Sequence, residues 1–416
     1  MVILFYHLFR FFYLGAVRLL SIRNKKAKKW LQGRKNWQEQ LRIWRAQNPS
    51  NQLIWMHCAS QGEFEQGRPV AEALQKNFPH AKLVVSFFSP SGFEAAQKQK
   101  LADLYIYLPF DGAANARNFI ALLQPSMAIF VKYEYWYFYL KTLKQQQIPA
   151  ILISAIFRSN QPFFQWWGGL HRSMLHCFTH VFTQDASSYE RLTSLLTKEK
   201  LTVSGDTRFD RVTGIAAQWQ ALPLPEAFCA NKKILIAGST WEADERLLQE
   251  WYSNNNKAWK LMLVPHEIND AHLNKIKSLF PEAIFYSQLK QDDPLADASV
   301  LVVDAVGILS KLYRYATVCY IGGGFTRTGI HNMLEAAVYG KPIFSGPEYS
   351  KYREAWELKK AGAYFPVNNA TALSNAINAT DVKIVGKIAA DHVASNSGAT
   401  QIITNWIQEK RLLTNA

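Results

Sequence analysis

The stretch LIWMHCASQGEFEQGRPVAEALQKNF (53–78) decides the fold. Its first seven residues, LIWMHCA (53–59), are short and near-continuously apolar, the pattern of a strand buried on both faces of a parallel sheet. A polar turn, S-Q-G-E (60–63), follows, and then a helical segment, GRPVAEALQKNF (67–78). Working outward, the same unit recurs. Further strands are expected at KLVVSFF (82–88), LYIYLPF (104–110), MAIFVKY (127–133), AILISAI (150–156), HVFTQD (180–185) and LTVSGD (201–206). The segment WQALPLPEAFCANKK (219–233) carries two prolines and interrupts the rhythm. Alternation then restarts at KILIAGST (233–240), KLMLVP (260–265), EAIFYSQ (282–288), SVLVVDA (299–305), TVCYIGGG (317–324) and PIFSGP (342–347). Two successive sets of strands alternating with helices predict an α/β protein with two Rossmann-like, doubly wound domains.

The chain has 416 residues, 49% of them hydrophobic and 19% charged, which suits two globular domains and excludes a disordered chain. The expected division is an apolar and basic segment at 1–45, a first domain at 46–218, a linker at 219–233, a second domain at 234–384, and a helical segment at 385–416 that packs across both. Cys58, Cys177, Cys229 and Cys319 are far apart and form no C-x-x-C, which is neither a zinc pattern nor a disulfide framework, so a reduced, cytosolic setting is expected.

The net charge of +15 is unevenly placed. Residues 1–45 hold eleven Lys and Arg against one acid, Glu39, and the rest is only mildly basic, which argues against a nucleic-acid-binding face. The stretch MVILFYHLFRFFYLGAVRLLSI (1–22) is apolar except for His7, Arg10, Arg18 and Ser21, which share one narrow sector of a helical wheel. Arginines are expensive inside a spanning helix, whereas a helix lying in the interface points them at lipid phosphates. The RNKKAKK run behind it suits an anionic leaflet. An in-plane helix is therefore expected, with a single-pass anchor and a helix packed on the protein's own core as the alternatives. A cleaved signal peptide has no small-residue cleavage site to support it.

In open parallel sheets, ligands bind beyond the carboxyl ends of the strands, so the loops there are the candidate sites. After the first strand, Ser60 and Glu63 have the spacing of a capping box, and Gly62 beside them leaves Glu63 as a candidate general base. S-F-F-S-P-S-G (86–92) reads as a tight turn. K-Y-E-Y-W (132–136) puts Glu134 at a strand end, either as a binder of a sugar hydroxyl or as a solvated loop acid. G-D-T-R-F-D (205–210) places Arg208 near the binding cleft. In the second half, Gly238, Ser239 and Thr240 form a candidate phosphate cradle. G-G-G-F-T-R-T-G-I-H-N-M-L-E-A-A (322–337) couples a glycine turn to a helix expected to start near His331–Asn332, with Glu335 in reach of ribose hydroxyls. No P-loop, H-E-x-x-H or G-x-S-x-G occurs.

These motifs resemble the Kdo (3-deoxy-D-manno-octulosonic acid) transferases. The resemblance is carried in order by A-S-x-G-E (59–63), S-P-S-G (89–92), E-Y-W (134–136), G-x-x-x-F-D (205–210), A-G-S-T (237–240), D-x-x-G-x-L-x-x-L-Y (304–313), H-N-x-L-E-x-A (331–337) and G-K-P-x-x-x-G-P (340–347). It implies a GT-B fold with two domains facing a cleft, and an inverting transfer of Kdo from CMP-Kdo to a lipid A precursor at the cytoplasmic face of the bacterial inner membrane. It implies Glu63 as catalytic base, with Ser60, Gly62, Glu134 and Arg208 on the donor side. Ser239, Thr240, Gly323, Asn332 and Glu335 would hold CMP, with Gly322, His331 and the Pro265–His266 turn beside them. No cofactor or metal is implied. The chain departs from the family at Gln61, at Asp206, and at Pro265-His266-Glu267, where the family has Pro-Arg-His. The rivals are a GT-B transferase using a UDP-sugar and a non-catalytic membrane-bound nucleotide-binding protein. A dinucleotide oxidoreductase is disfavoured because no G-x-G-x-x-G follows the first strand.

Overall fold

The structure is a computed structural model. It describes every residue except Met1, Asn51, Ala230, Asn231, Lys257, Gln291, Asp292, Asn415 and Ala416, with side chains described from Tyr6 onward. The chain forms two compact units, residues 1–211 with 397–416, and residues 212–396.

The first unit holds β1 (Leu53–Cys58), β2 (Lys82–Phe87), β3 (Leu104–Tyr107), β4 (Met127–Val131), β5 (Ala150–Ala155), β6 (His180–Thr183) and β7 (Leu201–Val203). All are parallel, in the order β3-β2-β1-β4-β5-β6-β7. Every residue of β1, β4 and β5 is buried, which is why these strands read as unbroken apolar runs. The order reverses direction between β1 and β4, and the loops leaving these two strands flank the crevice where such sheets bind ligands.

The second unit repeats the plan with β8 (Lys233–Thr240), β9 (Trp259–Pro265), β10 (Ile284–Phe285), β11 (Val300–Val302), β12 (Val318–Ile321), β13 (Ile343–Ser345) and β14 (Tyr364–Pro366). The order is β10-β11-β9-β8-β12-β13-β14, again all parallel, with the reversal between β8 and β12. The expected strand 282–288 shrinks to two residues followed by a 3₁₀ turn, Tyr286–Gln288. The edge strand β14 was not singled out by the sequence, since it is three residues long and ends on Pro366, which has no N–H to pair.

The division into units falls inside the helix Thr207–Ala217, upstream of the proline-bearing stretch, whose residues Pro223–Phe228 form a helix of the second unit. The C-terminal segment is two helices, Val382–Asn396 in the second unit and Ala399–Glu409 in the first. The latter buries Ile403 and Ile407 in the first unit's core, and Asp210 ties down its start by accepting bonds from the N–H groups of Gly398 and Thr400, both at 2.6 Å.

Residues 1–47 form the helices Val2–Leu20, Lys25–Gln32 and Trp37–Gln47. Trp37 and Leu41 are core residues of the first unit. Among the described residues no helix is long and apolar enough to cross a membrane. The first helix turns Arg10 toward the protein and leaves His7 and Arg18 exposed. Its half-buried side is Tyr6, Arg10, Tyr13 and Val17, with Tyr6 donating to Asp111 and the Arg10 guanidinium over the rings of Phe110 and Phe138. Arg10 is therefore directed at the protein, because a guanidinium gains more from aromatic faces and a nearby carboxylate than the wheel alone reveals. Leu8, Phe9, Phe11 (74% exposed), Phe12, Leu19 and Leu20 face outward. Arg34 is also turned inward, donating to the carbonyls of Trp30, Phe88 and Leu108 at 2.8–2.9 Å. Burial lowers its pKa to about 9.

Candidate functional site

In the first unit, the loops after β1, β2 and β4 meet at the sheet reversal. β1 delivers the chain to Ser60, which caps the helix Gln61–Asn77. The capping box expected from the spacing is present: the Ser60 N–H donates to Glu63 Oε2 at 2.8 Å, and the Glu63 N–H donates to Ser60 Oγ at 3.4 Å. The Ser60 hydroxyl also donates to Glu63 Oε2, at 3.2 Å. Both bonds from Ser60 to the Glu63 carboxylate fall on Oε2. A Cβ added at Gly92 would stand 2.9 Å from the Gln61 nitrogen, so glycine there lets the loop after β2 press against the loop after β1.

Glu134 is not a solvated loop acid. It is 7% exposed. Lys132, at φ 68°, turns the chain sharply at the end of β4. Glu134 Oε2 then accepts from His57 Nε2 at 3.0 Å and from the Trp136 indole N–H at 2.6 Å. His57 sits wholly buried inside β1, and its Nδ1 lies 2.8 Å from Ser86 Oγ, which also accepts from the Trp55 indole at 2.8 Å. His57 and Trp136 together fix Glu134 in place.

Two carboxyl groups therefore share one crevice. Burial, and then the charge of Glu134, raise the Glu63 pKa to about 7, against the opposing bonds from Ser60. A helix N-terminus on its own favours an ionised carboxylate. Desolvation and a like charge outweigh that dipole, and the result is a carboxylate poised where a general base works best. The neighbouring Cys58 thiol is pushed well above its ordinary value by burial and then by the same carboxylates, so it is no nucleophile. Arg208 is clasped by Asp206, with its Nε 2.9 Å from Oδ2. Gly62 lies within the helix, and a Cβ there would meet nothing within 4 Å.

The second unit's loops meet in the same place on its own sheet but are built differently. Ser239 adopts φ 56° and Gly323 φ 90°. A Cβ on Gly322 would lie 2.2 Å from the Ser239 carbonyl oxygen, so the loops after β8 and β12 pack backbone against backbone. Their polar groups are largely spent on each other. The Gly322 N–H donates to the Gly238 carbonyl at 2.9 Å, and the Gly323 N–H to Asp244 at 2.8 Å. The Thr240 hydroxyl donates to Glu245 at 2.9 Å and is buried. Ser239 remains half-exposed, so it is the hydroxyl of this cradle that faces outward.

His266, standing where the family has arginine, is sandwiched between Trp241 (centroids 4.7 Å apart) and His331 (4.3 Å). The Trp241 indole donates to His331 Nε2 at 3.2 Å, which leaves the His331 proton on Nδ1. Burial and then His266 lower the His331 pKa to about 4, so this ring is neutral near pH 7. Pro265 ends β9 beside this stack. The helix expected from His331–Asn332 begins at Leu334 and lasts one turn, to Ala337, and the Asn332 side chain accepts the Leu334 N–H at 3.2 Å. So short a helix offers little dipole to a phosphate. Asn332 also donates to Glu335 at 3.2 Å. Sequence reading missed His57, Trp136, Trp241 and Asp244. A histidine inside an apolar strand and an acid three residues past a strand-end tryptophan were the available signals.

Two seven-stranded parallel sheets in series, each with its candidate residues on the loops at its reversal, define the GT-B class. The chain is similar in fold to a putative UDP-N-acetylglucosamine 2-epimerase from Listeria monocytogenes, with a TM-score of 0.60 and 12% identity, covering 87% of this chain and 98% of that one. It is similar to a glycosyltransferase from Rickettsia africae, with a TM-score of 0.54 and 16% identity, covering 88% and 99%.

The family is narrower than the class. Residues 35–211 match the family described as 3-deoxy-D-manno-octulosonic-acid transferase (kdotransferase). The chain is 26% identical to a 3-deoxy-D-manno-octulosonic acid transferase of Aquifex aeolicus, over 77% of this chain and 83% of the relative. It is 24% identical to a bifunctional glycosyltransferase/methyltransferase of Fusobacterium nucleatum over 87% of this chain, and spans 56% of that relative's length. The Kdo transferase resemblance read in the motifs thus extends over most of the sequence.

Proposed function

We propose that this protein is an inverting glycosyltransferase that moves Kdo from CMP-Kdo to a lipid A precursor at the cytoplasmic face of the bacterial inner membrane. The observation that carries this reading is the pair Glu63 and Glu134, with the Glu63 pKa raised to about 7 by burial and by its partner. The acceptor hydroxyl gives its proton to Glu63 while its oxygen bonds to the anomeric carbon of Kdo. The bond from that carbon to the phosphate oxygen breaks, and CMP leaves with the electron pair through an oxocarbenium-like transition state. Glu134 does not take the proton in this scheme. Held by His57 and Trp136, it keeps Glu63 basic and stands ready for a sugar hydroxyl. Ser239, the neutral His331 N–H and Glu335 are the groups assigned to CMP, with no metal required of them.

The outward face of the first helix, with the exposed Arg18, Arg23, Lys25 and Lys28, suits attachment to an anionic bilayer without spanning it. The test of the reading is incubation with CMP-Kdo and a tetraacyl lipid A precursor, followed by mass spectrometry, beside a parallel reaction with UDP-sugars. Mass gain by Kdo with CMP-Kdo alone is the expected result. Transfer from a UDP-sugar, or from neither donor, would overturn the reading.

A further inference from the structure

A pocket lies between the first two helices. About 350 Å³ in volume, it is walled by Tyr13 and Val17 of the helix Val2–Leu20, by Trp30 of the helix Lys25–Gln32, and by Phe88 and Pro90 of the loop after β2, with Lys26 at its rim. The volume is within the range of small-molecule pockets. We propose that this pocket takes one acyl chain of a lipid acceptor, a site that rests on the lipid-acceptor reading above.

Several observations converge on an acyl chain. Apart from Asn24, Lys26 and Ser89 the lining is aromatic and aliphatic, and the hollow forfeits dispersion contacts that a flexible hydrocarbon restores. The helix that supplies Tyr13 and Val17 carries the outward apolar face, so a bilayer against Phe11, Phe12 and Leu19 stands at the helix that walls the pocket. Lys26 is exposed at the rim, with Lys25 and Lys28 beside it, and these suit the phosphate of an anionic lipid headgroup. The Trp30 indole N–H is buried without a hydrogen-bond partner among the described residues, a donor fit for the carbonyl of an acyl ester or amide. The far wall leads to the reactive groups: the Phe88 ring lies 5.0 Å from the ring of Trp136, which donates to Glu134. A chain seated here anchors its sugar headgroup at the crevice rather than leaving it in the plane of the membrane.

The test uses the full chain and an acylated glucosamine acceptor carrying a diazirine at the chain end. Irradiation and peptide mass spectrometry are expected to place the label on Tyr13, Val17, Trp30 or Phe88. Withdrawal of each methylene from water is worth about fourfold in an equilibrium, so kcat/KM should climb with chain length until the pocket is full. Val17→Trp, which fills the pocket, should cut kcat/KM for the longest chain by about tenfold or more and flatten the series. Leu19→Trp, on the outward face, should leave the series intact. CMP affinity checks that each variant is folded. Label confined to Leu8, Phe11, Phe12 and Leu19, or a Val17→Trp series identical to wild type, overturns the proposal. Label in the pocket without any Kdo transfer keeps the acyl site and removes the donor assignment, so the two failures are distinguishable.

Discussion

The two units share a topology and a reversal point, yet they put opposite chemistry there. In the first unit the loops after β1 and β4 bring two carboxyl groups together, and the nearby imidazole of His57 is used to hold one of them. In the second, the acids Asp244 and Glu245 are buried and spent on Gly323, Thr240 and His272, while stacked, largely uncharged rings line the surface. The first arrangement stores a proton equilibrium near neutrality. The second stores shape, in glycines that bring backbone to backbone. A doubly wound sheet therefore supplies only the place. Whether that place reacts or holds is decided by which side chains the loops leave unspent.

The largest expected effect breaks the reactive side. Glu63→Gln keeps the capping box, since Gln serves there too, but cannot accept a proton. Turnover with CMP-Kdo should fall by about 10²–10⁴-fold, with CMP affinity unchanged and the melting temperature near pH 7 not lowered. If turnover stays near normal, Glu63 is a helix cap and the contrast between the units dissolves.

Glycine substitutions should separate the units by sign. Gly322→Ala forces a Cβ to within 2.2 Å of the Ser239 carbonyl and should cost about 1–3 kcal/mol in chemical denaturation. Gly62→Ala, in a helix with open space around it, should stabilise by about 0.5–1 kcal/mol. Equal effects at both positions would mean that the second unit's backbone packing is not what shapes its loops.

A smaller effect tests the holding side. Glu335→Ala should weaken CMP binding by about 1–3 kcal/mol in calorimetry while sparing the fold. Unchanged affinity would leave Glu335 as a partner of Asn332 only. Smaller again is the membrane contact. Lys28→Ala should lower partition onto anionic vesicles about fivefold, or ~1 kcal/mol, and high salt should erase that difference but not the apolar remainder. Partition that ignores both charge and salt would remove the electrostatic part of the attachment.

Most of the fold was legible because the central parallel strands are buried on both faces, and thirteen of the fourteen strands fall at segments singled out from the sequence. The one that does not is β14, three residues closed by a proline, while β10 was expected over 282–288 and keeps only two residues. Glu63 and Glu134 were legible because both follow strands directly. Their coupling was not, since His57 and Glu134 are 77 residues apart and only the sheet order makes β1 and β4 neighbours. The direction of the first helix was hidden for a related reason. A wheel shows that Arg10 and His7 share a side, but only packing shows that this side faces Phe110 and Phe138. The start of the helix at Leu334 was not legible, because Met333 stands at its N-cap without a side-chain cap and gives no signal in the sequence.

The central claim is that Glu63 is a base tuned by burial and by Glu134, and it carries a sign. Its carboxyl holds a proton longer in the native state than when unfolded, so Glu63 costs folding stability increasingly as pH rises from 4.5 to about 7. The same proton must leave before Glu63 can accept one from the acceptor. The most direct measurement is the pH dependence of kcat/KM for Kdo transfer, in wild type and in Glu134→Gln. The account predicts a wild-type rate that climbs with pH through about 7 and then levels, and a limb moved to lower pH once the Glu134 charge is gone. A wild-type profile that is flat across about pH 5 to 9, or a limb that Glu134→Gln leaves in place, would contradict it.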